Sequence, residues 1–264
     1  MIDIHNHILP GLDDGSQDIE TTEIYLDLIA KANMEAIVFT PHFKRGFFDN
    51  TKDKILEAFH QVESLIIAKN YSFKVYCAAE VYLVGELAVT DIQNNSFMIN
   101  GSRYILVENS IYGFSKDLYE NLYSLVKLGY KPILAHPERY SEIQKNIDLA
   151  ADFLHRDIYL QINTGSLLDS YNMKTKETAL ELINRGYAHF LGTDSHCHTD
   201  VYDFPLALDI IKKQFGNDIA HILSKENPEK MINNDDVPYF YMQTKPRQTK
   251  KNIFQKIFGL KIIP

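Results

Sequence analysis

The chain has 264 residues, 45% of them apolar and 23% charged, with 12 Gly and 9 Pro, which excludes a disordered or fibrous protein and allows one large or two small domains. Two cysteines, Cys77 and Cys197, cannot build a disulfide framework or a four-thiolate metal site, and no run reaches 18 apolar residues, so no transmembrane helix is expected. The formal charge is −8; subtracting the +6 of residues 244–264 (Lys245, Arg247, Lys250, Lys251, Lys256, Lys261) leaves −14 for residues 1–243, which disfavours nucleic acid as partner and suits a cation site.

In chain order, β-rich runs alternate with longer helical patterns. Strands are expected near 1–5, 35–40, 74–80, 103–108, 132–136, 157–163 and 188–194, with helices near 19–33, 51–70, 116–129, 141–155, 174–186 and 203–215. The 116–129 stretch shows the helical period in Leu118, Leu122, Leu125 and Val126, with Gly129 as the expected C-terminal stop. Seven strand–helix units in one uninterrupted series predict a parallel α/β barrel spanning residues 1–243 as a single domain. The N-terminus carries no basic stretch followed by an apolar core, so no secretory signal is expected, and a cytoplasmic protein follows.

The ionisable residues fall where such a barrel carries its chemistry, at the C-terminal strand ends. The expected first strand ends in His5 and His7, the second in His42, the third in Glu80, the fourth in Glu108, the fifth in His136, and the last in Asp194 and His196. His5 and His7, two apart on extended backbone, can turn to one ion, and Asp14 in the GLDDGS turn can fold a carboxylate back toward them. A His and carboxylate set without thiolate suits Mn²⁺, Fe²⁺ or Zn²⁺, and nine candidate ligands suit two or three ions. His60, His155 and His221 lie inside helical patterns and read as structural, as does His189 before the last strand. Arg139 in HPER can reach an anion resting on the ions, or pair with Glu138 on the surface; spacing leaves both open. Arg45 is a second phosphate candidate. Cys197, between two histidines, is either a soft extra ligand or packing behind its loop.

Other chemistries lack their residues. Six positions after Cys77 stands Leu83 and six after Cys197 stands Asp203, so no C-x₅-R phosphatase loop exists, and neither a P-loop nor a G-x-S-x-G elbow is present.

Assembled, the motifs DIHNHILPGLDDGS (3–16), TPHF (40–43), AAEVY (78–82), LVEN (106–109), LAHPERY (134–140), QINTGSL (161–167) and GTDSH (192–196) resemble the PHP (polymerase and histidinol phosphatase) superfamily. They are most similar to the bacterial manganese-dependent protein-tyrosine phosphatases of capsule and exopolysaccharide operons. The resemblance implies a distorted seven-stranded TIM-like barrel with a trinuclear site. His5, His7, Glu80 and Asp194 would hold one ion; Glu80 would bridge to a second with Glu108 and His136; Asp14, His42 and His196 would hold a third. Arg139 would grip the phosphate. Such a centre lowers the pKa of water toward 7 for in-line attack on phosphorus. The tyrosinate leaving group, with a pKa of ~10, needs little protonation, and Asp14, His42 and His198 are open as its acid. The implied substrate is a phosphotyrosine protein, a membrane-associated tyrosine kinase controlling polysaccharide export.

Two other readings compete: a small-molecule phosphatase such as histidinol-phosphate phosphatase, and a catalytically inactive metal-binding regulatory module. The resemblance does not reach residues 244–264. There Ile253, Phe254, Ile257, Phe258 and Leu260 beside Lys250, Lys251 and Lys256 suit peripheral contact with anionic lipid at the inner membrane face, or a solubilising end.

Overall fold

The computed structural model describes residues 1–85, 88–95 and 97–239. The basic segment 244–264 lies outside the described residues. Nine parallel strand segments are formed: β1 (Ile2–Asp3), β2 (Ala36–Phe39), β3 (His42–Phe43), β4 (Lys74–Cys77), β5 (Glu80–Tyr82), β6 (Tyr104–Glu108), β7 (Lys131–Ala135), β8 (Tyr159–Asn163) and β9 (Phe190–Gly192). Between and after them run α1 (Ile19–Lys31), α2 (Lys52–Lys69), α3 (Ala88–Asn95), α4 (Leu118–Lys127), α5 (Ser141–Lys145), α6 (Asp148–His155), α7 (Met173–Asn184), α8 (Phe204–Phe215), α9 (Asn217–His221) and α10 (Asn227–Ile232).

The segments pair in the orders β1-β2-β4 and β3-β5-β6-β7-β8-β9. β2 and β3 are two halves of one barrel strand, as are β4 and β5. Pro41 lies in the first break, where its missing N–H removes a ladder bond and lets the strand bend. The ladder carries across both breaks, through Ala78 N–H donating to Phe39 O at 2.8 Å and Glu80 N–H to Pro41 O at 3.1 Å. The ring closes where Asp194 N–H donates to His5 O at 2.8 Å and His7 N–H to Ser195 O at 2.9 Å. The result is a distorted barrel of seven strands in a single mixed α/β domain.

Side chains alternate along the strands between two cores. Ile2, Val38, Leu106, Ile133, Tyr159 and Phe190 fill the lumen, with Met231 and Ile232 of α10 closing its lower end. Residues of opposite parity, such as Ile37, Phe39, Ile105, Val107, Leu134 and Leu160, join the layer beneath the helices. Tyr104 and Tyr159 fix the lower plug: Tyr104 Oη donates to Asp235 O at 2.7 Å and Tyr159 Oη to Val237 O at 2.8 Å.

Several expectations change. Residues 1–5 give only the two-residue β1, and beyond it His5 and His7 make their backbone bonds to Asp194 and Ser195 across the closing seam. The expected strand 74–80 breaks at Ala78–Ala79, so Glu80 starts β5 instead of ending a strand. The expected helix 141–155 is two helices split around Asn146. α3, α9 and α10 were not anticipated: α3 is short and rich in Asn and Gln, and α9 and α10 follow the last repeat unit. Gly129 does stop α4, with φ +87°, and Tyr130 N–H caps Leu125 O at 3.0 Å.

Candidate metal centre

The lumen turns polar at its upper end. On β8, Tyr159, Gln161 and Asn163 occupy alternate positions, so the face that packs the barrel floor continues into Gln161 and Asn163 at the top. There His5 and His7 stand fully buried with their Nε2 atoms 3.2 Å apart. Glu80 Oε2 lies 3.1 Å from His5 Nε2 and 3.4 Å from His7 Nε2; Asp194 Oδ1 lies 3.4 and 3.3 Å from the same atoms. Two glycines allow this approach: a Cβ on Gly15 would stand 1.9 Å from His7 O, and one on Gly192 would stand 2.5 Å from His5 Cβ.

All nine expected ligands converge. Besides the His5, His7, Glu80 and Asp194 group, His7, Asp14, His42 and His196 form a second, and His42, Glu80 and Glu108 a third. His42 stands between the last two, its Nδ1 3.1 Å from Glu80 and 3.2 Å from Glu108, its Nε2 3.7 Å from Asp14 Oδ1. His136 joins through Nε2, 3.1 Å from Glu80 Oε1 and 3.9 Å from Glu108 Oε2. His196 Nε2 is 3.4 Å from Asp14 Oδ1, and its ring stacks on His7 with centroids 4.1 Å apart. His136 (φ +39°) and Asp194 (φ +52°) both take left-handed backbone at a strand end, a strain that functional sites retain.

The donor set calls for positive charge. His5 Nδ1 is 2.8 Å from Gln161 Oε1 and His7 Nδ1 is 2.7 Å from Asp13 Oδ2. With Nδ1–H donating to those acceptors, both neutral rings direct Nε2 lone pairs at one point, where two carboxylate oxygens also face. Lone pairs on four buried atoms repel unless a cation or protons sit among them. Glu80 Oε2 and His42 Nδ1 are buried and, although 3.1 Å apart, form no well-aligned hydrogen bond, which fits ligands aimed at a common ion.

Titration behaviour has the same origin. Burial opposes charge on His42, and so does His7, yet Glu80 and Glu108 lift its pKa to about 10. Burial likewise disfavours the His7 cation, but Asp13, with Asp194 and Glu80, outweighs it and raises the pKa well above 6.5. Glu80 is fully buried, which alone would raise its pKa; His5 and His42 drive it well below the carboxylate range instead. The hydrogen bond to His196, against partial burial, holds Asp14 at about 2.

Arg139 does not pair with Glu138 on the surface. Its Nη1 donates to Asp194 Oδ2 at 3.0 Å and its guanidinium lies 4.8 Å from the Tyr171 ring centroid. Glu138 is fully buried, accepting from Asn163 N–H at 2.9 Å and Ser166 Oγ at 2.6 Å. Arg139 lines a cavity of about 290 Å³ with Asp14, Glu80, Glu108, His136 and His196. A neighbouring cavity of about 440 Å³ shares Arg139 and adds Tyr171, His198 and Asp203. A larger one, about 560 Å³ beside α2, is mostly apolar, contains Cys77 and touches none of these ligands.

Arg45 is placed elsewhere: it forks onto Asp91 of α3 and does not line the 290 Å³ cavity, where Lys44 stands instead. Cys197 belongs to none of the three ligand groups, and burial pushes its thiol up to about 12, so it packs behind its loop. His60 is exposed on α2, and His189 is buried at the foot of β9. Asp13, Gln161 and Asn163 were missed. A doubled Asp in the turn and two polar residues at i and i+2 of an otherwise apolar strand were the signals for them.

Fold and site together define a parallel α/β barrel with a histidine–carboxylate cluster, a candidate metal centre, at its C-terminal strand ends. The chain belongs to the CpsB/CapC family of capsular polysaccharide synthesis, whose model matches residues 1–233. It is 28% identical to the tyrosine-protein phosphatase YwqE of Bacillus subtilis, over 98% of this chain and 99% of that one. A putative tyrosine-protein phosphatase, CapC of Staphylococcus aureus, is 31% identical over 76% and 78%. A chain from the crystal structures of YwqE and of CpsB from Streptococcus pneumoniae, described as unique metal-dependent tyrosine phosphatases, superposes with a TM-score of 0.84 at 28% identity. That superposition covers 92% of this chain and all of the other.

Proposed function

We propose that this chain is a metal-dependent protein-tyrosine phosphatase. The observation that carries the reading is the set of four buried donor atoms all within 4.8 Å of one another, with both histidine Nε2 atoms 3.1–3.4 Å from both carboxylates, beside an arginine at a cavity. His5, His7, Glu80 and Asp194 hold one cation; Glu80, Glu108 and His136 a second; Asp14, His42 and His196 a third, with Mn²⁺ as the native ion and Fe²⁺ or Zn²⁺ as substitutes. Bound cations neutralise the phosphate dianion and supply a nucleophile at neutral pH.

The chain's own residues do the rest. Arg139 offers its planar fork to the equatorial phosphate oxygens, where charge grows in the transition state. Tyr171, stacked against the guanidinium, and Asp194, bonded to it, keep that fork oriented. Asp14, with its carboxyl near 2, is ionised in neutral water, and His42 belongs with it to the third ligand group, which leaves His198, on the neighbouring cavity, to donate the proton to the departing tyrosinate. Tyr112, 89% exposed at the cavity rim, leaves the mouth open to a polypeptide, which favours a phosphotyrosine protein over a small phosphomonoester.

Family membership supports a substrate within polysaccharide synthesis, a membrane-associated tyrosine kinase being our candidate. Among the described residues no helix is long and apolar enough to cross a membrane. Peripheral contact through residues 244–264 remains part of this proposal and rests on their composition. The deciding experiment compares a phosphotyrosine peptide with a phosphoserine peptide in Mn²⁺. Strong preference for phosphotyrosine, lost on chelation and restored by Mn²⁺, is expected. Equal rates on the two peptides, or full activity in metal-free protein, would overturn the reading.

A further inference from the structure

Two adjacent cations follow β3, and the fold treats them differently. Arg45 is neutralised by the bidentate pair with Asp91. Lys44 is half-buried on the lining of the 290 Å³ cavity, and among the described residues no carboxylate lies within 4.0 Å of its Nζ. That Nζ is bracketed by two ring faces, 4.2 Å from the Tyr82 centroid and 4.8 Å from the Phe47 centroid.

The backbone beneath is fixed. Lys44 and Phe48 exchange both backbone bonds, at 3.0 and 2.8 Å, around Gly46 at φ +78°, whose N–H is capped by Asp49 Oδ1 at 2.9 Å. Phe48 stacks on His42 with centroids 5.7 Å apart, which ties the turn to the metal centre. A preorganised ammonium with no carboxylate partner among the described residues, in a protein of strongly negative charge, can take an anion from outside.

Its depth says which anion. The ligand cluster forms the cavity floor, whereas Lys44 rests on Phe47, which is 76% exposed and lies outside the cavity lining, so the ammonium stands on the solvent side of the cavity. A phosphoryl group on the floor places the tyrosine ring in the cavity and the neighbouring residues of its peptide at the rim. We propose that Lys44 forms a subsite for an Asp or Glu side chain flanking the phosphotyrosine, making an acidic phosphotyrosine segment the preferred substrate. This rests on the phosphatase reading above.

The test uses full-length protein with Mn²⁺ and three phosphotyrosine peptides bearing Asp, Ala or Lys beside the phosphotyrosine, with p-nitrophenyl phosphate as a reference without flanks. Wild type is expected to favour the Asp over the Lys peptide by about three- to tenfold in kcat/KM, mainly through KM, less so at high salt. Lys44→Met should bring that ratio close to one, and Lys44→Glu should invert it. An unchanged ratio in both variants overturns the subsite. So does an equal loss on all peptides and on p-nitrophenyl phosphate, which would place Lys44 on the phosphoryl group. Failure of wild type to cleave any phosphotyrosine peptide instead overturns the phosphatase reading itself, and is seen before either variant is made.

Discussion

Histidines are fully buried at both ends of this barrel, and their surroundings differ in kind. At the lower end, His189 Nδ1 accepts Leu160 N–H at 3.1 Å and its Nε2 lies 3.0 Å from Tyr239 O, which suits a neutral ring with both nitrogens satisfied. Burial dominates there and lowers its pKa to about 4. At the upper end the Nε2 atoms of His5 and His7 face each other and two carboxylates, and the local field raises both pKa values. The same residue type, equally buried, is structural where its polar atoms are paired and marks a site where they compete for one missing charge.

The largest effect should come from removing a carboxylate from the unpaired end. Glu80 touches His5, His42 and His136 at 3.1 Å each, and no other carboxylate near these ligands approaches three of them so closely. Glu80→Gln should lower metal content by at least one ion per chain and cut phosphatase turnover by roughly 10³-fold or more, the several kcal/mol that a metal centre contributes. Elemental analysis beside kcat measurement checks both. Retention of full metal content would remove Glu80 from the centre. Arg139→Ala should follow, with kcat/KM down by about 10²–10³-fold and metal retained, because the guanidinium contacts one carboxylate ligand without being a ligand itself. Near-wild-type activity would show that something else clamps the phosphate.

The contrast between the two ends is partly legible in the sequence. His5, His7, His42, His136, Asp194 and His196 stand out because a His or Asp at the end of an expected strand has a physical meaning. Glu80 was found for the right residue type but the wrong local structure, since the break at Ala78–Ala79 carries no Pro or Gly to announce it. What orients the ligands was not legible at all. Gln161 reaches His5 across 156 residues of sequence, and Asp13 meets His42 N–H across 29, pairings that only the closed barrel creates. The placement of Lys44 at the cavity and Arg45 on Asp91 has the same source, because α3 was not anticipated.

The paired end is tested by pH. Above pH ~6.5 His189 is neutral in both the folded and the unfolded chain. Between pH 6.5 and about 4 the unfolded chain gains a proton that the folded chain refuses, so stability falls as the pH falls, by up to about 3 kcal/mol from this group. Denaturant titrations of wild type and His189→Asn across that window should show a shallower decline in the variant, even if its stability at pH 7 is lower. Identical slopes would mean that His189 is not the group resisting protonation.

The smallest effect lies where the two ends come closest in design. Asp13 is buried and is to His7 what Leu160 N–H is to His189, the partner that sets the tautomer. Its Oδ2 sits 2.7 Å from His7 Nδ1 and also accepts His42 N–H at 2.8 Å, while Oδ1 accepts Gly15 N–H at 3.0 Å. One carboxylate therefore orients one ligand side chain and anchors the backbone of another. Asp13→Asn keeps an acceptor for the loop but removes the charge that makes His7 a stronger donor, and should weaken metal affinity by about 10–100-fold while the fold survives. Chelator competition reads the affinity and thermal unfolding of the metal-free protein reads the loop. A normal affinity with a destabilised metal-free protein would reassign Asp13 to holding the turn. A weakened affinity with unchanged metal-free stability would show that a charged partner behind a histidine is what separates a ligand from a structural residue in this barrel.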